Sequence, residues 1–160
     1  GEFFLCGHSM GGAIASQVAA DYGRRVRRLI LIDSAGIPGV GAGRILGRLL
    51  QPWTWCPSRF YSTLLGDILK AGPNVFRGIH HLRGFDVRPA LKRVRAPTLI
   101  IWGAKDSLTP PGHGAMFADR LPNARLEMVP GARHLPMISH PEVVSRLVVR
   151  FLREDVKPGS

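Results

Sequence analysis

Short apolar runs alternate along the chain with longer stretches in which apolar residues recur every three or four positions. Four of these runs, at residues 3–6, 26–32, 96–103 and 125–129, predict strands. The second run is apolar on both faces toward its end, which is typical of a parallel sheet covered by helices. The fourth run is more polar, and it therefore predicts a strand at the edge of the sheet.

Helical spacing between the strands predicts helices at residues 13–20, 113–121 and 141–153. Strands that alternate with helices predict an α/β fold, in which a parallel sheet of about four strands is joined by right-handed crossovers and flanked by helices. Such a sheet brings the loops that follow its strands together at one end, where functional residues gather.

The pattern changes between residues 37 and 94, where glycines and prolines separate shorter apolar groups that predict helices at 44–50, 60–69, 75–82 and 87–94. We therefore expect a helical cap inserted at 37–94 between two parts of the sheet domain, 1–36 and 95–155, with a loose tail at 156–160. The aromatic residues Trp53, Trp55 and Phe60 would line a substrate cleft, or would form with Tyr61 the small core of the cap itself.

Composition narrows the class of protein. The chain has 160 residues, of which 45% are hydrophobic and 21% charged, as in soluble globular domains. No apolar run approaches the roughly 20 residues of a membrane helix, and no secretory leader precedes the first strand. Cys6 and Cys56 have neither disulfide nor metal spacing, so we expect a cytoplasmic, reducing location.

The sequence begins with Gly1, which is not an initiator methionine and lies almost directly before the first predicted strand. We therefore expect either that residues before Gly1 were removed or that the chain is the C-terminal piece of a longer protein.

The chain is basic, with a formal net charge of +11. Such an excess occurs in nucleic-acid-binding proteins. However, the arginines are dispersed, and their cluster at residues 24–28 lies where a predicted helix meets a strand, without interleaved aromatic residues. A solvated basic surface is therefore favoured over a nucleic-acid site. Histidines and carboxylates do not recur at metal-ligand spacings, so we expect no metal and no other cofactor.

Candidate chemistry begins with the sequence GHSMGG at residues 7–12, which contains the pattern Gly-x-Ser-x-Gly. It stands between a predicted strand and a predicted helix, the context of a nucleophile elbow, which is a sharp turn that exposes a serine hydroxyl. Gly7 and Gly11 flank Ser9, and we expect a Cβ at either position to crowd the turn. Ser9 is the predicted nucleophile, and a plain glycine-rich turn is the alternative.

Asp106 and His134 also follow predicted strands, so they would meet Ser9 at the same end of the sheet. The order Ser, Asp, His fits nucleophilic catalysis, in which His134 accepts the serine proton and Asp106 fixes the imidazole tautomer. Asp33 follows a strand as well and is a rival acid. Among the other histidines, four are expected to be packing, surface or helix-terminal residues, namely His8, His80, His81 and His140.

These motifs resemble the C-terminal portion of an α/β-hydrolase-fold serine hydrolase. The resemblance rests on residues 7–12, on PTLIIWGAKD at 97–106, on PGARH at 130–134 and on HPE at 140–142. It implies hydrolysis of a carboxylic ester, or a related acyl bond, through an acyl-enzyme, with Ser9, Asp106 and His134 as the triad. It favours Asp106 over Asp33, and it assigns the backbone N–H of Met10 to the oxyanion hole.

The resemblance implies a small-molecule ester or acyl substrate. The expectation that this substrate is apolar rests on the residues Trp53, Trp55 and Phe60 of the predicted cap. Similar sequences also include carbon–carbon bond hydrolases, lactonases and acyltransferases, which stay open as alternatives. The serine argues against relatives that use a carboxylate nucleophile, such as haloalkane dehalogenases and epoxide hydrolases.

The chain departs from the family pattern in two respects. Arg133 stands where many relatives carry glycine, and it would restrict the loop or contact an anionic group of a substrate. The strands that precede the elbow strand in family members are absent, as is the loop that supplies a second oxyanion amide. We therefore expect the first strand to offer an edge for pairing with another chain, and the 160-residue chain alone to be weakly active or inert.

Overall fold

In the computed structural model of the chain, four parallel strands form one sheet in the order β1-β2-β3-β4. The strands are β1 (Phe3–His8), β2 (Val26–Ile32), β3 (Thr98–Gly103) and β4 (Ala124–Val129). The structure describes residues 1–38, 47, 51, 58, 61–72, 74 and 84–154. The predicted parallel α/β sheet is confirmed, and each strand lies where an apolar run predicts it.

The helices of the described residues are α1 (Met10–Asp21), α2 (Tyr61–Ala71), α3 (Arg88–Leu91), α4 (Pro111–Arg120), α5 (Pro136–Ser139) and α6 (Pro141–Arg153). Helix α6 has its predicted bounds, α1 begins directly after Ser9 and extends beyond the predicted segment 13–20, and the helix predicted at 87–94 is reduced to the single turn α3. None of the helices in these ranges is both long and apolar enough to cross a bilayer.

The division into a sheet domain and a cap at 37–94 stays a prediction. Helix α2 falls inside the predicted cap, close to the helix expected at 60–69. The helices predicted at 44–50 and 75–82 lie outside the described residues, apart from Gly47, as does the tail at 156–160. Trp53, Trp55 and Phe60 also lie outside them, so their proposed contribution to a substrate cleft is not tested.

The two central strands are buried on both faces, and their successive side chains point to opposite sides of the sheet, where helices cover them. The residues on the side of α1, α3 and α4 are Leu29, Leu31, Ile100 and Trp102. Those on the side of α6 are Ile30, Ile32, Leu99 and Ile101. The sheet is therefore packed between helices, and this packing fixes the positions at which its strands end.

The loops after the strands are joined to one another by backbone hydrogen bonds. The N–H of Ser9, after β1, donates to the carbonyl of Ile32 at the end of β2 across 3.0 Å. The N–H of Lys105, after β3, donates to the carbonyl of Ala132, after β4, across 2.8 Å. Between these two pairs, the N–H of Asp33, after β2, donates to the carbonyl of Ile101 in β3 across 3.0 Å, so the carboxyl end of the sheet is a single connected rim.

The two edges of the described sheet are β4 and β1. The edge position of β4 agrees with its polar sequence. On β1, the side chain of Phe4 is 51% exposed, and Cys6 is exposed as a free thiol. The predicted pairing of another chain along β1 is not tested by the structure.

Candidate active site

Ser9 occupies a sharp turn between β1 and α1. Its backbone φ of 53° lies in the left-handed region, which is uncommon for a residue with a side chain and is typical of strained functional turns. A Cβ on Gly7 would overlap the backbone carbonyl of Gly11, so the preceding strand can approach the start of α1 only with glycine there.

The expectation that Gly11 is required in the same way was wrong. A Cβ on Gly11 would meet no atom within 4 Å, because this side of α1 faces open space. The tight position is Gly12, one residue later, whose Cβ would overlap the side chain of Ser34 in the loop after β2. The glycine requirement on the helix side thus comes from packing between α1 and the loop after β2 and not from the turn itself.

His134 lies within hydrogen-bond distance of both other members of the predicted triad. Its Nε2 is 3.0 Å from Oγ of Ser9, and its Nδ1 is 2.7 Å from Oδ2 of Asp106. The N–H at Nδ1 donates to the carboxylate of Asp106, so Nε2 is left to accept the Ser9 hydroxyl proton. The sheet therefore brings together three residues that are up to 125 positions apart along the chain.

Asp106 is buried and accepts several hydrogen bonds. Its Oδ1 accepts from the backbone N–H groups of Leu108, at 2.7 Å, and Thr109, at 3.0 Å. Its Oδ2 accepts from the hydroxyl of Thr109 at 2.6 Å. Burial raises the pKa of Asp106, but hydrogen bonds from His134 and Thr109 and the charge of His134 outweigh burial, so its pKa is below the ordinary value. The carboxylate is ionised and fixed in orientation.

Thr109 was not singled out in the sequence, yet it contacts two members of this group. Its hydroxyl donates to Asp106 and also lies 3.3 Å from Nδ1 of His134. Its backbone carbonyl accepts a hydrogen bond from the indole N–H of Trp102 across 3.0 Å, so the buried strand β3 holds it in place. The signal in the sequence is the Asp-Ser-Leu-Thr order, in which a turn-forming aspartate can accept bonds from residues two and three positions later.

His8 lies directly against His134. The two rings have centroids 4.9 Å apart, and Nε2 of His8 is 2.8 Å from the backbone carbonyl of His134, to which its N–H donates. Burial, followed by the charge of His134, lowers the pKa of His8 to about 4, so the ring is neutral. The expected packing contact therefore also connects β1 to the loop that carries His134.

Asp33, the rival acid, is fully buried at the end of β2 with a backbone φ of 42°. Its Oδ1 accepts the backbone N–H of Gly103 across 2.8 Å. Burial and the nearby charge of Asp106 raise the pKa of Asp33 to about 9. The carboxyl that contacts the His134 ring is therefore that of Asp106 and not that of Asp33.

The remaining predicted residues lie at the margin of this group or outside the described residues. Met10 is the first residue of α1, so its N–H has no acceptor within the helix and stands beside Ser9. Arg133 is exposed. His140 precedes α6, as expected, and its Nδ1 is 2.8 Å from the hydroxyl of Ser139. His80 and His81 are outside the described residues.

An imidazole that accepts a serine proton, an ionised carboxylate behind it and a free helix-terminal N–H beside the serine form an arrangement that supports acyl transfer. Residues 1–147 match the model of the alpha/beta hydrolase family. The chain belongs to this family. Membership agrees with the resemblance drawn from the sequence motifs and with the parallel sheet.

The most similar curated relatives include both carbon–carbon bond hydrolases and esterases. One is a 2-hydroxy-6-oxo-6-phenylhexa-2,4-dienoate hydrolase of Burkholderia cepacia, 28% identical over 92% of this chain and 62% of the relative. Another is a pimeloyl-[acyl-carrier protein] methyl ester esterase of Yersinia enterocolitica, 29% identical over 92% of this chain and 68% of the relative. The chain thus spans less than two thirds of the first relative's length and slightly more of the second's.

Solved structures share the fold. A thermophilic esterase superposes with a TM-score of 0.83 at 22% identity. The superposition covers 96% of this chain and 67% of the esterase. At 22% identity, this similarity shows that the two proteins have the same fold.

Proposed function

We propose that this chain carries the catalytic triad of a serine hydrolase that cleaves carboxylic esters, or a related acyl bond, through an acyl-enzyme. The observation that carries the proposal is the continuous contact from Ser9 through His134 to Asp106, with distances of 3.0 and 2.7 Å. Such a contact makes a serine hydroxyl nucleophilic at neutral pH, because the imidazole accepts its proton as the new bond forms.

In the first half of the reaction, Oγ of Ser9 attacks the ester carbonyl carbon while its proton passes to Nε2 of His134. Negative charge develops on the carbonyl oxygen, and the N–H of Met10 at the start of α1 is placed to stabilise it. The tetrahedral intermediate then expels the alcohol, which takes the proton from His134. Asp106 stabilises the imidazolium that exists between these two proton transfers.

In the second half, a water molecule attacks the acyl carbon and gives its proton to Nε2 of His134. The intermediate expels Oγ of Ser9, which recovers that proton, and the carboxylic acid leaves. Every proton thus moves through one nitrogen. This is consistent with a single hydrogen bond between His134 and Ser9 and with a second nitrogen held by Asp106.

The proposed substrate is a small ester or acyl compound with an apolar acyl group. The names of the relatives support an acyl ester, since one of them acts on a methyl ester. A carbon–carbon bond hydrolase is the second candidate, because the Burkholderia cepacia relative is named for a dienoate of that kind. A cytoplasmic location belongs to the same proposal and is supported by the free thiol of Cys6.

The two candidates are separated by assaying the full-length protein with p-nitrophenyl esters of increasing acyl length and with a ring-cleavage dienoate. We expect ester turnover that increases with acyl length and is lost in Ser9→Ala and His134→Ala. Preferential cleavage of the dienoate would favour the second candidate. Turnover of neither compound by a folded protein would favour a catalytically inert chain, and best turnover of short polar esters would contradict an apolar substrate.

A further inference from the structure

The buried carboxyl of Asp33 is only half satisfied as an acceptor. Its Oδ1 accepts the backbone N–H of Gly103, whereas its Oδ2 is buried and meets no hydrogen-bond donor within the described parts of the chain. An ionised carboxylate in this position would be strongly destabilising, because burial removes its hydration and nothing replaces it at Oδ2. A protonated carboxyl would not carry this cost.

The charged group that acts on Asp33 is another carboxylate, that of Asp106. Asp106, in the loop after β3, acts on Asp33 through its charge. The two residues also share a neighbour, since the hydroxyl of Thr109 lies 2.6 Å from Oδ2 of Asp106 and 3.3 Å from the backbone carbonyl of Asp33. His134, in the loop after β4, contacts Asp106. Two neighbouring buried carboxyls cannot both be ionised without a large penalty, so the pair holds one proton between them.

The proton resides on Asp33 because the two carboxyls have unequal surroundings. Asp106 accepts from two backbone N–H groups, from the hydroxyl of Thr109 and from the ring of His134, and all four donors stabilise its ionised form. Asp33 accepts one backbone N–H through its side chain. The direction of the two pKa shifts agrees, since that of Asp33 is raised and that of Asp106 is lowered.

We propose that Asp33 is a neutral carboxylic acid whose Oδ2–H donates to the carboxylate of Asp106, and that it is a positioning residue for the triad acid. The proposal rests on the proposed function, because it assigns Asp33 a role through Asp106. The hydrogen-bonded series becomes Asp33, Asp106, His134 and Ser9. The oxygen of Asp33 opposite the donor is tied to β3 through Gly103, so the donor is held in a fixed position.

Two variants of Asp33 test whether it acts as a hydrogen-bond donor to Asp106. Asp33→Asn keeps an acceptor for Gly103 and places an N–H donor where the O–H stands, and asparagine tolerates the left-handed backbone. Asp33→Leu removes both groups at similar size. We expect kcat/KM to fall about 10- to 100-fold in Asp33→Leu, as for loss of a hydrogen bond to a charged group, and to be largely restored in Asp33→Asn.

The decisive readout is independent of activity. In the full-length protein at pH 7, infrared spectroscopy should show the carbonyl stretch of a buried protonated carboxyl, which disappears in Asp33→Asn and persists in the control Asp119→Asn. The same proton predicts that the free energy of unfolding falls as pH rises from about 4 to about 9, since folding then requires proton uptake by Asp33, and that Asp33→Asn removes this part of the slope.

The outcomes are distinguishable from failure of the proposed function. Absence of the protonated-carboxyl band, or Asp33→Asn as impaired as Asp33→Leu, would overturn the proposal. If Asp33 were instead an ionised acid that can replace Asp106, activity would be retained in Asp106→Asn and lost when Asp33 is also replaced. If Asp33→Leu does not fold, the band and the pH slope of Asp33→Asn decide the matter alone. If the wild type shows the band but Ser9 is unreactive, the proposed function fails while the protonation of Asp33 stands.

Discussion

The ring of His8 donates a hydrogen bond from Nε2 to the backbone carbonyl of His134, across 2.8 Å. His8 is the last residue of β1 and immediately precedes Ser9, so this bond joins the strand that presents the nucleophile to the loop that presents the base. It requires the proton on Nε2 of His8. A neutral ring satisfies this requirement, and burial keeps it neutral by lowering its pKa to about 4.

Acid stability should depend on His8. Its pKa in the folded protein is below the ordinary value, so its contribution is complete above about pH 6.5 and is lost as pH falls toward 4. At about 1.4 kcal/mol per pKa unit, the loss reaches about 3 kcal/mol. We expect His8→Gln, which keeps an N–H donor but does not titrate, to flatten the decline. Denaturant unfolding at several pH values measures it, and an unchanged slope would contradict the predicted neutral ring.

Thr109 should support activity through its hydroxyl group and not through the volume of its side chain. Thr109→Val removes the 2.6 Å hydrogen bond to Asp106 at nearly constant volume, whereas Thr109→Ser retains the hydroxyl. We expect kcat/KM toward an ester to fall about 10- to 100-fold in the valine variant, because a hydrogen bond to a charged group is lost, and to stay close to wild type in the serine variant. Equal activity of the two variants would show that the contact does not contribute.

The glycines around Ser9 offer a matched pair for stability. Gly7→Ala forces a Cβ into the carbonyl of Gly11, and overpacking of this kind costs about 1–3 kcal/mol. Gly11→Ala places a Cβ in open space on a helix, where alanine is favoured over glycine by about 1 kcal/mol. We expect the free energy of unfolding to fall in the first variant and to be unchanged or higher in the second. A Gly11→Ala variant that is less stable than Gly7→Ala would contradict the close contact between Gly7 and the carbonyl of Gly11.

The exposed first strand predicts self-association of the 160-residue chain. Strand β1 lies at an edge of the described sheet, and Phe4 on it is 51% exposed. Edge strands of this kind pair with other chains, and charged residues on them oppose it. Sedimentation of the 160-residue chain should show concentration-dependent association that Phe4→Lys weakens. Monomeric behaviour of the wild type at all concentrations would contradict the prediction.

The strands and the location of the site could be predicted because both follow from local patterns. Apolar runs locate the strands, and parallel strands gather at one end whatever polar residue follows each of them. Ser9, Asp106 and His134 each follow a predicted strand, so the sequence predicts that they meet. The structure places His134 within hydrogen-bond distance of the other two.

Contacts between loops could not be predicted in the same way. Asp33 and Gly103 are 70 positions apart, and their hydrogen bond depends on the register of β2 against β3. For the same reason Gly12, which packs on Ser34, was overlooked in favour of Gly11. The helix predicted at 87–94 was too long because Val87 and Val94 are buried by tertiary packing, while only the residues between them form the single turn α3.

The most direct test of the proposed chemistry is the reaction of the full-length protein with a fluorophosphonate, followed by mass spectrometry of the labelled peptide. The probe requires a serine whose proton an adjacent base accepts. We expect a single adduct on Ser9 that is absent in Ser9→Ala and formed far more slowly in His134→Ala. A folded wild-type protein that remains unlabelled, or that is labelled equally fast in His134→Ala, would contradict the claim that His134 activates Ser9.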